Sequence, residues 1–222
     1  MLLSTAYFPP VEYFALLAKD FTLSPDRVIP SMVHIEACEN YQKQSYRTRC
    51  RIAAAGGVEE LSVPIVHGPD RLITSIRVDY SVPWVLQTCR AIDSAYYSSP
   101  YFEYYRDELF ELLGRRTETL FELNLSLTRF FLDKTGIACR LLPTTTFVRE
   151  GSTADDFRYV IHPKRSNTIL RDLSLERPYY QVFSGKYGFT GGLSVMDLLF
   201  NEGPDSILWL KNLQDNQGRN QI

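Results

Sequence analysis

No apolar run in this chain approaches the ~20 residues a membrane-spanning helix needs, so no membrane span is expected. Cysteine is scarce. Cys38, Cys50, Cys89 and Cys139 lie far apart, and no pair has metal-ligand spacing. Few, scattered thiols in a chain of 222 residues fit a reducing compartment. The opening MLLSTAYFPP lacks a basic leader, and Pro9-Pro10 breaks its apolar run too early for a signal peptide, so a soluble cytoplasmic protein is expected. An excess of one charge is also lacking: 24 basic and 26 acidic residues leave a net charge of −2. No global field therefore draws in nucleic acid or an anionic membrane, and a basic site has to be local. There is no P-loop, nucleophile elbow, dinucleotide fingerprint or metal motif, so the sequence assigns neither cofactor nor metal.

What is present is one concentrated basic stretch. Residues 41–52 read YQKQSYRTRCRI, and no acidic residue falls between Glu39 and Glu59. An extended chain alternates its side chains between two faces. Tyr41, Lys43, Ser45, Arg47, Arg49 and Arg51 would then share one face, and Tyr46, Thr48, Cys50 and Ile52 the other. Arginine forks suit phosphate and carboxylate, and lysine adds a point charge. A ladder of like charges gains from an anionic ligand, although basic strand faces are also commonly solvated and paired with glutamate.

The surrounding pattern mixes strands and helices. Strands are expected over 2–8, 32–38, 58–66 and 72–78, with a hairpin turn at Gly56-Gly57. Helices are expected over 11–19, 83–97, 100–113 and from the Thr119/Glu122 capping box to Gly136. Another strand follows over 138–148. Residues 150–178 are polar and irregular, a long loop or a lid. Residues 179–183 read as a strand, and Ser194 caps a helix over 195–200 with Asp197 completing the box. The expected class is α/β, a single domain over 1–205 with a polar tail over 206–222. The sheet carries a basic hairpin near the N-terminus, and the middle section is helical.

Several segments together resemble the WbqC-like family. Phe8-Pro9 and Tyr13-Phe14 fit its F-P-x-x-x-Y-F segment. Tyr41, Lys43, Tyr46, Arg49, Arg51 and Ile52 fit its basic segment. Trp84, Ile92, Tyr96, Pro100, Tyr101 and Phe102 fit the central one, and Phe189, Leu193, Ser194, Asp197 and Leu198 the last. The similarity runs through most of residues 6–203. Thr88 stands where that family often carries a histidine, and Cys50 where it carries an asparagine. The resemblance implies a bacterial protein linked to O-antigen or related surface-polysaccharide biosynthesis.

The ligand-binding candidates are therefore Tyr41, Lys43, Tyr46, Arg49 and Arg51. Gly191, Gly192 and Ser194 join them, because two glycines opening a helix let a phosphate approach free backbone N–H groups. Acid–base candidates are His34, His162 and Glu36, with His67 in a Gly-Pro turn. The expected partner is an anionic small molecule, a nucleotide-sugar or sugar phosphate; oligomeric state is not set by the sequence. Two functions lead. One is a transferase of surface-polysaccharide biosynthesis, with acyl or aminoacyl transfer as a fitting reaction. The other is a non-catalytic phospholigand-binding or interaction protein of the same pathway. Single-stranded nucleic-acid binding, suggested by aromatics among the cations, is disfavoured by the overall charge.

Overall fold

In the computed structural model, which describes residues 1–24, 27–66 and 68–213, strand β1 (Leu2–Ser4) leads through Phe8-Pro9-Pro10 into helix α1 (Val11–Lys19). The expected strand stops at Ser4 because the chain must bend to enter the helix. Phe8 takes φ 42°, a left-handed backbone that costs a side-chain-bearing residue strain. Burial offsets that cost. The Phe8 ring is fully enclosed and meets Tyr7 edge-on at 4.6 Å and Phe131 at 6.1 Å.

A short hairpin, β2 (Thr22–Ser24) and β3 (Arg27–Ile29), precedes β4 (Ser31–Glu36). β4 lies parallel to β1, with Leu3 opposite Ile35. Its alternation is plain: Val33 and Ile35 are fully buried, while Met32 and His34 face solvent. The basic hairpin follows as β5 (Arg49–Ala54) and β6 (Gly57–Ser62), turning at Ala55-Gly56 with Gly57 at φ 114°. The expected strand over 72–78 is a single 3-10 turn, Ile73–Ser75. Side-chain and loop partners take its backbone: Asp70 accepts from the Leu72 N–H (2.9 Å), and the Glu39 carbonyl accepts from that of Ile73 (2.9 Å).

The helical middle runs α2 (Trp84–Tyr96), α3 (Phe102–Gly114) and α4 (Leu120–Lys134). Thr119 caps α4, its hydroxyl accepting from the Glu122 N–H (3.2 Å) and donating to the Glu122 carboxylate (3.0 Å). Thr119→Ala should lower stability by about 1 kcal/mol, read from the midpoint of urea unfolding at unchanged slope. α4 is apolar nearly all round and accordingly central, and Phe131 packs on both Phe8 and Phe14.

Strand β7 (Cys139–Pro143) joins the other side of β4, giving a parallel sheet of order β1-β4-β7. The 150–178 segment is tied down at its start. The Asp155 carbonyl accepts from the Leu2 N–H, and the Leu2 carbonyl from the Phe157 N–H, both at 2.9 Å. Helices α5 (Ile169–Asp172) and α6 (Ser184–Tyr187) are single turns. No strand forms over 179–183: Gln181 turns its side-chain amide onto the backbone of Thr190, and the segment runs into α6. Helix α7 (Val195–Glu202) is buried from Val195 to Asn201. The expected tail beginning at 206 is corrected as well. Ser206–Leu210 form helix α8, with Trp209 and Leu210 packed into the core; residues 214–222 lie outside the described residues. The whole is a mixed α/β single domain. Among the described residues no helix is long and apolar enough to cross a membrane.

Candidate functional site

The basic stretch is not one extended strand. Gln44 adopts φ 55°, and Ser45 donates its hydroxyl to the Gln42 carbonyl (2.7 Å), so residues 41–48 turn and only Arg49 onward is β5. The period-two alternation fails before Arg49, and the cations disperse. Arg47 goes into the core, with Nε donating to Glu39 (2.8 Å) and Nη2 to Ser4 (2.7 Å). Its carbonyl also accepts from the buried Asn124 amide (2.9 Å). Arg49 pairs on the surface with Glu60 (2.7 Å). Tyr41 and Lys43 line a separate cleft of about 430 Å³ with Asp70 and Arg71.

Arg51 differs from all of these. It is half-buried and makes no ion pair among the described residues. Its guanidinium lies against Gly192, where a Cβ would sit 3.1 Å from Nη1. Gly192 also holds φ 68°, so both space and backbone favour glycine. Tyr46, from the turn, is buried nearby. Burial, then the charge of Glu12, pushes its hydroxyl up to about 12, while Arg51 pulls the other way.

The helix that follows Gly192 has spent its free amides. Ser194 N–H donates to the Arg51 carbonyl (2.8 Å) and Val195 N–H to the Pro9 carbonyl (2.8 Å). The N–H groups of Met196 and Asp197 go to the Ser194 side chain and carbonyl. The expected open helix N-terminus is therefore closed by folding, and Ser194 is a structural cap. Gly192 is left as the backbone beside Arg51, while nothing lies within 4 Å of the Cβ position of Gly191. Asp197 does not complete the box either, because the Ser194 N–H it would accept is already taken. Its carboxylate is buried, accepting from Tyr179 (2.7 Å) and Gln181 (2.8 Å), and burial raises its pKa to about 6.

The acid–base candidates are scattered. Glu36 is wholly buried at the end of β4. It accepts from Arg158 (2.8 Å), Thr144 (2.6 Å), and the N–H groups of Cys38 (3.0 Å) and Val148 (3.1 Å). With both oxygens committed it has no lone pair to spare for a substrate proton. His34 stands on the solvent face of β4. His162 is half-buried near Arg47; burial, then Arg165, Arg47 and Lys164, lower its pKa and favour the neutral ring. His67 lies outside the described residues. Thr88, at the position of the family histidine, is buried beside Tyr7 on the Cys50 side of β5, away from the face that carries Arg51.

One participant has no signal in the sequence beyond its place in a first helical turn, where an acid ordinarily just complements the dipole. Glu12 of α1 comes within 3.8 Å of the Gly192 Cβ position through Oε1, while Oε2 is buried without a hydrogen-bond partner. Burial raises its pKa, opposed by its own backbone N–H and by Arg51. Glu12 also lines a cavity of about 350 Å³ bounded by Leu170, Leu175, Arg177, Phe189 and Trp209. Arg51, Gly192, Tyr46 and Glu12 thus form one cluster: a cation without an ion-pair partner, an open stretch of backbone, and a carboxyl whose pKa is shifted toward neutrality.

No curated protein and no solved structure matches the chain. The model of the WbqC-like protein family matches residues 5–170. That span takes in the β1–α1 turn, the basic stretch and the central helices, and ends before Gly191–Ser194 and α7. The matched part is most of the chain, and the chain belongs to the WbqC-like protein family.

Proposed function

We propose that the chain is a transferase-type enzyme of surface-polysaccharide biosynthesis that holds the phosphate of a nucleotide-linked or phosphorylated sugar at Arg51. The observation that carries this reading is the Arg51 guanidinium, half-buried, without an ion-pair partner among the described residues, and placed against Gly192. A half-buried, unpaired fork beside glycine backbone suits a phosphate oxygen better than an arginine already paired with a carboxylate does. Arg49 and Lys43 drop to minor roles, the first already matched by Glu60 and the second in another cleft. Acyl or aminoacyl transfer needs positioning of two substrates and one proton acceptor, and Glu12 is the carboxyl nearest the cradle. The link to polysaccharide rests on the family resemblance.

Calorimetric titration against nucleotide sugars and sugar phosphates tests this. Arg51→Ala should weaken the binding member about 10- to 100-fold, the loss of a charge-assisted contact. Arg49→Ala should change it less than about fivefold, as for a solvated surface pair. No binding by any panel member, or equal effects of the two substitutions, ends the proposal. The commitment of Glu36 and the exposure of His34 leave room for a second reading, a phospholigand-binding protein without turnover. Binding at Arg51 with no consumption of any donor would select it.

A further inference from the structure

We infer that the cavity between α1, the 167–178 segment and α8 is a subsite for a neutral, hydroxyl-bearing ring, a sugar, that extends from the anion held at Arg51. This rests on the reading of Arg51 as the anion site. Three of the cavity's lining side chains carry a buried polar atom with no partner: Glu12 Oε2, Arg177 Nε and Trp209 Nε1. Two of these are donors, and the third accepts when Glu12 is ionised. An unpaired buried polar atom costs about 1–3 kcal/mol, so three around one cavity mark a place where a ligand supplies what the chain does not. A hydroxyl both donates and accepts, and a few on one ring can answer all three after small side-chain rotations.

The rest of the wall carries Asn167, Arg171 and Glu176 beside an apolar part. Leu170, Leu175 and the ring of Phe189 offer a surface for the C–H face of a sugar. A cavity of about 350 Å³ lies at the small end of ligand pockets, the scale of a single ring. Arg177 donates through Nη2 to the carbonyls of Leu208 (3.3 Å) and Trp209 (3.5 Å), long bonds that keep its guanidinium at the wall and still allow the small rotation that Nε needs. Glu12 joins the two halves, with Oε1 toward Gly192 and its carboxyl lining the cavity.

Saturation-transfer NMR with free glucose, galactose, rhamnose, N-acetylglucosamine and N-acetylgalactosamine tests this, with free adenosine, uridine and cytidine as the contrasting set. At least one sugar should receive saturation and the nucleosides should not. Glu12→Gln should weaken that sugar about tenfold. The same variant should bind inorganic phosphate more tightly than wild type, because a negative charge beside Arg51 is gone. Opposite shifts for two ligands cannot come from a damaged fold. Nucleoside binding without sugar binding, no binding by either set, or sugar affinity unaffected by Glu12→Gln overturns the subsite. If phosphate still binds and depends on Arg51, only the subsite falls. If phosphate itself fails to bind, the Arg51 reading falls with it.

Discussion

Glu36→Ala should lower the unfolding free energy by about 3–5 kcal/mol, the range found when one partner of a buried ion pair is removed. The Glu36 and Arg158 side chains are both wholly shielded from solvent. Asp156 would remain beside Arg158, at 2.6 and 2.9 Å, and would hold part of its charge. The Cys38 and Val148 N–H groups and the Thr144 hydroxyl would lose their acceptor together. Glu36→Gln should do little better, since its amide would turn a donor toward donors. Chemical denaturation followed by circular dichroism measures the loss, and calorimetry at low temperature measures ligand binding by the folded fraction, which should be intact. A Glu36→Ala chain that unfolds like wild type but has lost turnover would restore Glu36 as a base.

Asp197→Asn should stabilise the protein above neutral pH, by up to about 3 kcal/mol, and should give no gain below pH ~4. Burial raises the Asp197 carboxyl from 3.8 to about 6. A group whose folded pKa lies above its unfolded value binds its proton more tightly when folded. Its stabilising contribution is therefore complete below the unfolded pKa and is lost as the pH rises through about 6. Above that, a charge sits in the core, and asparagine removes it. The amide oxygen can keep the bonds from Tyr179 and Gln181. Its nitrogen can reach the Tyr96 hydroxyl, which now lies beside the carboxylate without a partner, as does Asp197 Oδ1. Urea titrations of both proteins from pH 4 to 8 give the difference directly, and effects common to the two cancel. A flat difference across that range would mean Asp197 is not neutralised by burial.

The elements that were legible in the sequence are those with a local chemical cause. Thr119 with Glu122 marks the start of α4, Ser194 that of α7, and the glycines at 56 and 57 the hairpin, whose turn falls one residue earlier at Ala55-Gly56, because caps and turns depend on a few adjacent residues. The basic stretch departs from its period-two alternation where a tertiary partner intervenes. Nothing periodic distinguishes Arg47 from Arg49 and Arg51, yet Glu39 and Ser4 draw it inward and the chain turns to let it go. The strand expected over 72–78 failed for a like reason, since Asp70 binds backbone that a ladder would have used, and over 179–183 the Gln181 side chain is committed to the distant backbone of Thr190. Of the candidate cluster, Arg51, Tyr46 and Gly192 stand out by residue type. Glu12 does not, because what makes it unusual is a segment more than a hundred residues away closing over it.

The bonds that close the start of α7 also set a timetable for synthesis. Val195 reaches back to Pro9 and Ser194 to Arg51, across nearly the full length of the chain. Contacts between such distant residues form late and slow folding. As the chain leaves the ribosome, the rings of Tyr96, Phe102 and Tyr105 wait without Phe200, the α7 side chain they pack on, until α7 has emerged. A ribosome stalled soon after residue 170 would hold the whole span that the family model matches and still lack the last wall of its core. Nascent chains of that length should be open to proteases and chaperones, and protection should appear abruptly once α7 is out.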